Sequence, residues 1–291
     1  MVDVLTLNYN DAESVICFLE QIKFYKSIRH ILVVDNCSTD DSLKRLIQLN
    51  SDKIHVISTN KNGGYGAGNN FGLRYLYKYY QSKYVLQCNP DVIISEKTVM
   101  KLENFLLEHD EYTMVAPFML DKNRKKLPNT AFKVPSLKQY ILGLDIFFSK
   151  YCDLNSYHDI IHDNSSIKDV DALSGSLFMV NLPKMIKYGM YDEQVFLYCE
   201  EVILAMKLKN NGQKVALLPQ EVFIHNHSVS ISKTYKTSTA RHLLLLRSKL
   251  YVIKKYLNAN RFEYSIAMIM AGVSLVENYL NNLRKNIINI L

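Results

Sequence analysis

Residues 31–46 read ILVVDNCSTDDSLKRL, and the order of residue types in this stretch decides the architecture. Ile31–Val34 is a short β-rich run. Asp35 to Asp41 is polar, and Ser38, Thr39, Asp40 and Asp41 supply cap-forming side chains for a helix predicted over Ser42–Leu49. A strand therefore ends at a loop that opens a helix, and loops at the carboxyl ends of strands line the ligand crevice of open α/β sheets. Working outward, Val4–Leu7, Ile54–Ile57 and Tyr84–Gln87 also read as strands. Glu13–Phe24 and Ala67–Tyr80 carry apolar spacing suited to helices. Strands alternating with helices over the first 90 residues predict a parallel sheet.

The 291 residues allow one large domain or two small ones. With 48% hydrophobic and 22% charged residues, 10 Gly and 6 Pro, the chain is globular, not disordered or collagen-like. Its net charge of +7 is unevenly placed. Residues 233–291 carry +8 and residues 1–232 carry −1, so the expected division is a domain over 1–232 and a basic amphipathic helical tail over 233–291.

Five cysteines, Cys17, Cys37, Cys88, Cys152 and Cys199, are widely spaced without a Cys-x-x-Cys pair. Neither a disulfide framework nor a zinc ribbon is indicated, and reduced thiols in a cytoplasmic protein are expected. Val4-Leu5-Thr6-Leu7 lacks a preceding basic region, so export through a signal peptide is not expected. The most apolar stretch, Ser265 to Val276, falls short of the ~20 residues a spanning helix needs.

Further along, the pattern weakens from Asp121 to Asp171 and reads as a variable excursion over the active face. Ala172–Val180, Val215–Leu218 and Val222–His225 are then predicted strands, Leu182–Tyr188 and Glu200–Asn210 predicted helices, and the sheet is expected to be mixed. In the tail, Leu243, Leu246, Leu250, Ile253 and Leu257 form one apolar stripe.

Four places could hold chemistry. Gly63, Gly64, Gly66, Gly68 and Gly72 open a helix after the third strand, as either a ligand contact or a packing turn; the dinucleotide and P-loop spacings are absent. Asn89-Pro90-Asp91 follows the fourth strand, where a short carboxylate can hold a divalent ion, although all three are also turn residues. His225-Asn226-His227 follows the last strand, where alternate residues face the same way, so either both imidazoles point into one site or one is a ligand while the other only packs. Glu200-Glu201 opens a helix, where carboxylates are also ordinary dipole partners. Zinc hydrolysis and serine hydrolysis lack their motifs, since Ser174-Gly175-Ser176 is no nucleophile elbow.

Taken in order, Asp35-Asn36, the loop from Asn62 to Gly72, Asn89-Pro90-Asp91, Ser174-Gly175, Tyr191-Asp192-Glu193, the run from Phe196 to Glu201, and Ile224-His225 resemble the family 2 glycosyltransferases of the GT-A fold. Among these, the bacterial rhamnosyltransferase-like enzymes of surface polysaccharide assembly are the nearest in pattern, and the resemblance covers residues 3 to 232. It implies a Rossmann-like mixed sheet flanked by helices and an inverting transfer from a nucleotide-diphospho-sugar to a glycan or lipid-linked acceptor. By position, Thr6, Tyr9, Asp35, and Asn62 with Gly63 would hold the nucleoside. Asn89 would touch ribose or phosphate, Asp91 and His225 would hold Mn²⁺ or Mg²⁺, and Glu201 would be the base.

The chain departs from the family pattern in places. Asn89 replaces an Asp, Asn36 follows Asp35 where a second Asp is usual, Glu201 replaces Asp, Cys199 replaces a frequent Gly, and Ile203 stands where an acid is common. The tail's basic residues beside an apolar stripe suggest a membrane-surface helix or a subunit contact giving a homodimer. That would place the protein peripherally on the inner face of the cell membrane. Nucleic acid is not an expected partner, because no nucleic-acid motif is present. A non-catalytic sugar-nucleotide-binding or nucleic-acid-binding protein is the alternative from the binding class. Nucleotidyl transfer would need a Gly-rich, Arg/Lys-bearing signature that Leu5–Asn10 does not supply.

Overall fold

A computed structural model describes residues 1–151, 157, 159–226 and 238–288. The chain divides into two compact units. The first comprises Met1–Lys133, Tyr157–Phe196 and Glu200–Ser228, and the second Val134–Ser156, Leu197–Cys199 and Val229–Leu291. His227 and the expected boundary at 232/233 lie outside the described residues.

The first unit is built on a nine-stranded sheet in the order β3-β2-β1-β4-β10-β6-β11-β5, with β8 on the side of β11. β1 (Val2–Asn8), β2 (Ile28–Asp35), β3 (Ile54–Ser58) and β4 (Tyr84–Cys88) are mutually parallel neighbours. β10 (Leu177–Asn181) runs antiparallel to both β4 and β6 (Tyr112–Leu120). β11 (Lys214–His225) is parallel to β6 and antiparallel to β5 (Val92–Ile94) and β8 (Lys168–Val170). The expected mixed sheet is thus present.

Side chains alternate between two cores, as the period of a strand requires. Val2, Val4, Ile31 and Val33 face one core with Phe18 and Ile22 of α1 (Ala12–Ile22) and Leu102 and Phe105 of α4 (Glu96–Glu108). Leu5, Leu32 and Val34 face the other with Leu73 of α3 (Tyr65–Tyr75), Met185 of α7 (Leu182–Tyr188), and Leu204 and Leu208 of α8 (Glu200–Asn210). Both faces being covered explains why β1, β2 and β4 read as near-continuous apolar runs. α2 (Ser42–Ile47) is the crossover helix of the second βαβ repeat, between β2 and β3, and ends short of the predicted Leu49.

Several expected elements are corrected. The strand expected over Ala172–Val180 is two, β9 (Ala172–Leu173) and β10, because Ser174 to Ser176 leaves the ladder to bond elsewhere: the Ser174 N–H goes to the Thr130 carbonyl and the Ser176 carbonyl accepts from Asn89 N–H. Val215–Leu218 and Val222–His225 are one strand, β11, interrupted by a register shift around Pro219, which has no N–H to give the ladder. The helix expected to run to Tyr80 turns π-helical over Leu76–Tyr80 and stops at Gln81 in the left-handed region. The helix expected to reach Phe24 ends at Ile22. Residues 121 to 171 are more regular than their pattern suggested, because β7 (Ala131–Phe132), which pairs with β9, and the other elements there are too short to show a period.

The second unit is helical: α5 (Leu137–Leu142), opened by a Ser136–Gln139 capping box, α6 (Ile146–Tyr151), α9 (Ser238–Lys255) and α10 (Arg261–Ile288). α9 buries Leu246, Ser248, Val252 and Ile253, so Leu243 of the expected stripe points outward. α9 and α10 are joined side to side by hydrogen bonds from His242 to Ser274 and from Asn282 to Thr239. Among the described residues no helix is long and apolar enough to cross a membrane. Cys17, Cys37, Cys88 and Cys199 are not joined in disulfides, and Cys152 lies outside the described residues.

Candidate active site

The site residues gather at the carboxyl ends of β1, β2 and β4, where β4 meets the incoming end of β10. Asn8 and Asp35 are register partners at the ends of β1 and β2. Asp35 is fully buried and accepts from Asn8 Nδ2 (2.8 Å), Ser38 N–H (2.9 Å) and the Ser38 hydroxyl (2.6 Å). Its carboxylate thereby shapes the turn in which Cys37 takes a positive φ. Thr6 is wholly buried on β1 between Val33 and Cys88, and its hydroxyl has no hydrogen-bond partner. Tyr9 is half-buried directly after the strand.

The glycine loop is held by amides. Asn36 Nδ2 donates to Asn62 Oδ1 (3.0 Å) and to the Gly64 carbonyl (3.1 Å), and Gly64 N–H donates to Asn62 Oδ1 (3.0 Å). Gly64 has φ of +90°, and a Cβ there would lie 2.0 Å from the Phe196 carbonyl oxygen. Gly68 and Gly72 pack against Leu7 and Leu5 of β1. Of the two readings of this loop, the packing turn accounts for these glycines, while Asn62 and Gly63 stay partly open to solvent.

After β4, Asn89 and Asp91 are half-buried. Asn89 N–H donates to the Ser176 carbonyl (2.8 Å), and Asn226 N–H donates to the Asp91 carbonyl (2.9 Å). His225 Nε2 stands 3.3 Å from Asp91 Oδ2, so the structure brings these two predicted metal-ligand candidates together. Among the described residues no group of three or more His, Cys, Asp or Glu side chains converges on one point.

Ser174–Ser176 joins this corner to Glu201. Gly175 N–H donates to Glu201 Oε1 (3.3 Å), and the Tyr65 hydroxyl donates to the Gly175 carbonyl (2.7 Å). A Cβ at Gly175 would sit 2.7 Å from that carboxylate oxygen and 3.3 Å from the tyrosine oxygen, so a larger residue would displace the Glu201 carboxylate from its place. Beneath them, Gln87 Nε2 donates to the hydroxyl oxygens of Tyr191 (2.7 Å) and Tyr65 (3.3 Å). Burial, and then the charge of Glu201, keep the Tyr65 phenol protonated by raising its pKa. Glu200 and Glu201 are both pushed up from the usual carboxylate range by burial, and the charge of Glu201 pushes Glu200 further. Glu200 Oε1 is buried with no hydrogen-bond partner. Tyr198 and Cys199, directly before α8, have φ of +71° and +70°. Two successive non-glycine residues in the left-handed region cost about 1–3 kcal/mol each, and such strain clusters at functional sites.

Sequence reasoning did not single out Tyr65, Gln87 or Asn8. Gln87 had a signal, being the one amide in the apolar run Tyr84–Cys88. Tyr65 had none, since an aromatic residue within a glycine loop is not diagnostic.

Comparison with known proteins identifies the family and the fold. The model of the family described as glycosyl transferase family 2 matches residues 3–166. The low-salt glycan biosynthesis hexosyltransferase Agl10 of Haloferax volcanii is 23% identical over 226 residues, covering 78% of this chain and 67% of that protein. The rhamnosyltransferase WbbL of Escherichia coli is 23% identical over 226 residues, covering 67% of this chain and 82% of that protein. The crystal structure of GalNAc-T7 with UDP, GalNAc and Mn²⁺ superposes with a TM-score of 0.59 at 12% identity, over 78% of this chain but only 44% of that one. This likeness shows the fold, which is GT-A. With the family model spanning more than half of its residues, the chain belongs to glycosyl transferase family 2 and is a rhamnosyltransferase-like glycosyltransferase.

Proposed function

We propose that the protein is an inverting transferase that moves a sugar from a nucleotide-diphospho-sugar to a hydroxyl of a glycan or lipid-linked acceptor in bacterial surface polysaccharide synthesis. The observation that carries the reading is the bridge through Ser174–Ser176, which ties the Asn89 to Asp91 corner to the carboxylate of Glu201. A sugar hydroxyl is a weak nucleophile at neutral pH, and attack on an anomeric carbon needs a carboxylate to accept its proton. Glu201 is that base. Burial holds its pKa above the usual carboxylate range, and the Gly175 N–H fixes its orientation. Direct displacement opposite the leaving diphosphate needs no enzymic nucleophile and inverts the anomeric centre.

Tyr9, Asn62 and Gly63 bound the nucleoside side of the crevice, with Thr6 and Asp35 buried beneath it, and Asn89 faces ribose or phosphate. Asp91 and His225 offer a carboxylate and an imidazole in contact, a donor pair that suits Mn²⁺ or Mg²⁺. Asp91 and His225 would hold the ion beside the donor's diphosphate. When bound, the ion neutralises charge developing on the departing diphosphate.

The test is turnover across a panel of dTDP-, UDP- and GDP-sugars with and without Mn²⁺. One donor is expected to be consumed in a metal-dependent way, and Glu201→Gln is expected to lower transfer by at least ~10²-fold while donor binding persists. Absence of binding and turnover with every donor overturns the enzyme reading, and a normal rate in Glu201→Gln places the base elsewhere.

A further inference from the structure

In the second unit α10 turns Ala267, Ala271 and Ser274 inward, fully or nearly buried. Its outer face carries Phe262, Ile266, Ile269, Val273, Val276, Leu280 and Leu283, each between 38% and 74% exposed. These positions follow one another at alternating four- and three-residue intervals across three heptads. That 3.5-residue period is the seam of a coiled coil, in which every apolar side chain meets a facing helix. Their exposed apolar surface is roughly 650 Å² per copy, above what most monomers leave open in one patch and close to the ~800 Å² per partner of a specific interface.

The charge pattern chooses the occupant. A helix that lies on an anionic leaflet flanks its apolar face with Lys and Arg. Between Phe262 and Leu283 there is no Lys or Arg at all. Five of the tail's ten Lys and Arg, namely Arg241, Arg247, Lys249, Lys254 and Lys255, lie on α9, and the three on α10, Arg261, Arg284 and Lys285, stand at its ends and do not flank the stripe. A second copy of the same helix, running antiparallel, pairs six of these seven residues with one another. Ile266 then faces the partner's Leu283, Ile269 the partner's Leu280, and Val273 the partner's Val276. In the same register the small Gly272 lies opposite the partner's Tyr279, and Glu263 opposite the partner's Arg284. Parallel pairing would set Glu263 level with its own copy. We infer that the protein is a two-fold homodimer closed by an antiparallel α10–α10 coiled coil. Such an isologous contact closes on itself and does not propagate.

Sedimentation velocity of the full chain across the micromolar range tests this. The wild type is expected to be a dimer, and Ile269→Glu/Val276→Glu to be monomeric, with self-association weakened by at least ~100-fold and unchanged far-UV circular dichroism. Met268→Glu, exposed but off the seam, should remain dimeric. Glu263→Arg should weaken the dimer and Glu263→Arg/Arg284→Glu should restore it. A monomeric wild type, a monomer that instead co-sediments with phosphatidylserine vesicles, or a seam variant that stays dimeric overturns the proposal. Failure of the charge swap to restore pairing overturns the antiparallel register.

Discussion

At the scale of single residues, adjacent Glu200 and Glu201 divide between two states of protonation. Two buried carboxyl groups side by side do not ionise together, and the one with a hydrogen-bond donor gives up its proton first. Glu201 has the Gly175 N–H, whereas the buried Oε1 of Glu200 has no donor. Glu200 is therefore the neutral member, its pKa pushed up to about 8. A glutamine is close in shape to a protonated glutamate, so Glu200→Gln should keep most of the transfer rate at pH 7, while Glu201→Gln should not. The sign of the stability effect follows from the raised value. A carboxyl held protonated by the fold contributes stability that is complete below about pH 4.5 and is lost as the pH rises through about 8. Thermal melts should show Glu200→Gln gaining on the wild type as pH increases from 5 to 9, the full gap appearing at the alkaline end. An unchanged gap would show that Glu200 is ionised throughout. Cys199 adds a conformational point: the left-handed φ at this position is what the glycine frequent in the family would adopt without strain.

At the scale of elements, legibility followed local periodicity. β1 to β4 and the helices between them were readable because each is long enough to show its period and is bounded by turn residues. α7 and α8 were read with their observed limits. What was lost is what tertiary bonding decides. The extended run from Ala172 to Val180 is broken because Gly175 must admit Glu201 and Tyr65, and nothing local marks that. The bulge at Pro219 hid the continuity of β11, and the outward face of α10 could be seen only once its inward face was known. The site was legible as an order of motifs but not as a network, since Gln87 and Tyr65 act through partners far away in sequence. The glycine loop gives the sharpest element-level expectation. Gly64→Ala would force a side chain into a backbone region that only glycine favours and into the Phe196 carbonyl. A loss on the order of 3 kcal/mol is expected from denaturant unfolding. A near-neutral substitution would show that the loop and the Phe196 segment readily separate.

At the scale of the whole molecule, the sheet divides its labour by polarity. The parallel strands β1, β2 and β4 point their carboxyl ends at the crevice on the nucleotide side. The antiparallel β10 enters from the same end and brings Ser174–Ser176 with it. The charge of the chain is apportioned in a similar way. The near-neutral residues 1–232 carry the crevice, and the excess of +8 sits in the residues that follow.

The hydrogen bond from Tyr65 N–H to the Phe196 carbonyl, at 3.1 Å, fastens the start of α3 to the segment that leads into α8. A nucleotide settling on Asn62 and Gly63 would stiffen that fastening, and with it the approach to the second substrate's place. The kinetic consequence is a compulsory order of addition, with the sugar donor first and the hydroxyl compound second. Initial-rate measurements should then show the free nucleoside diphosphate competing with the donor alone. Competition of the free nucleotide with both reactants would point to random entry.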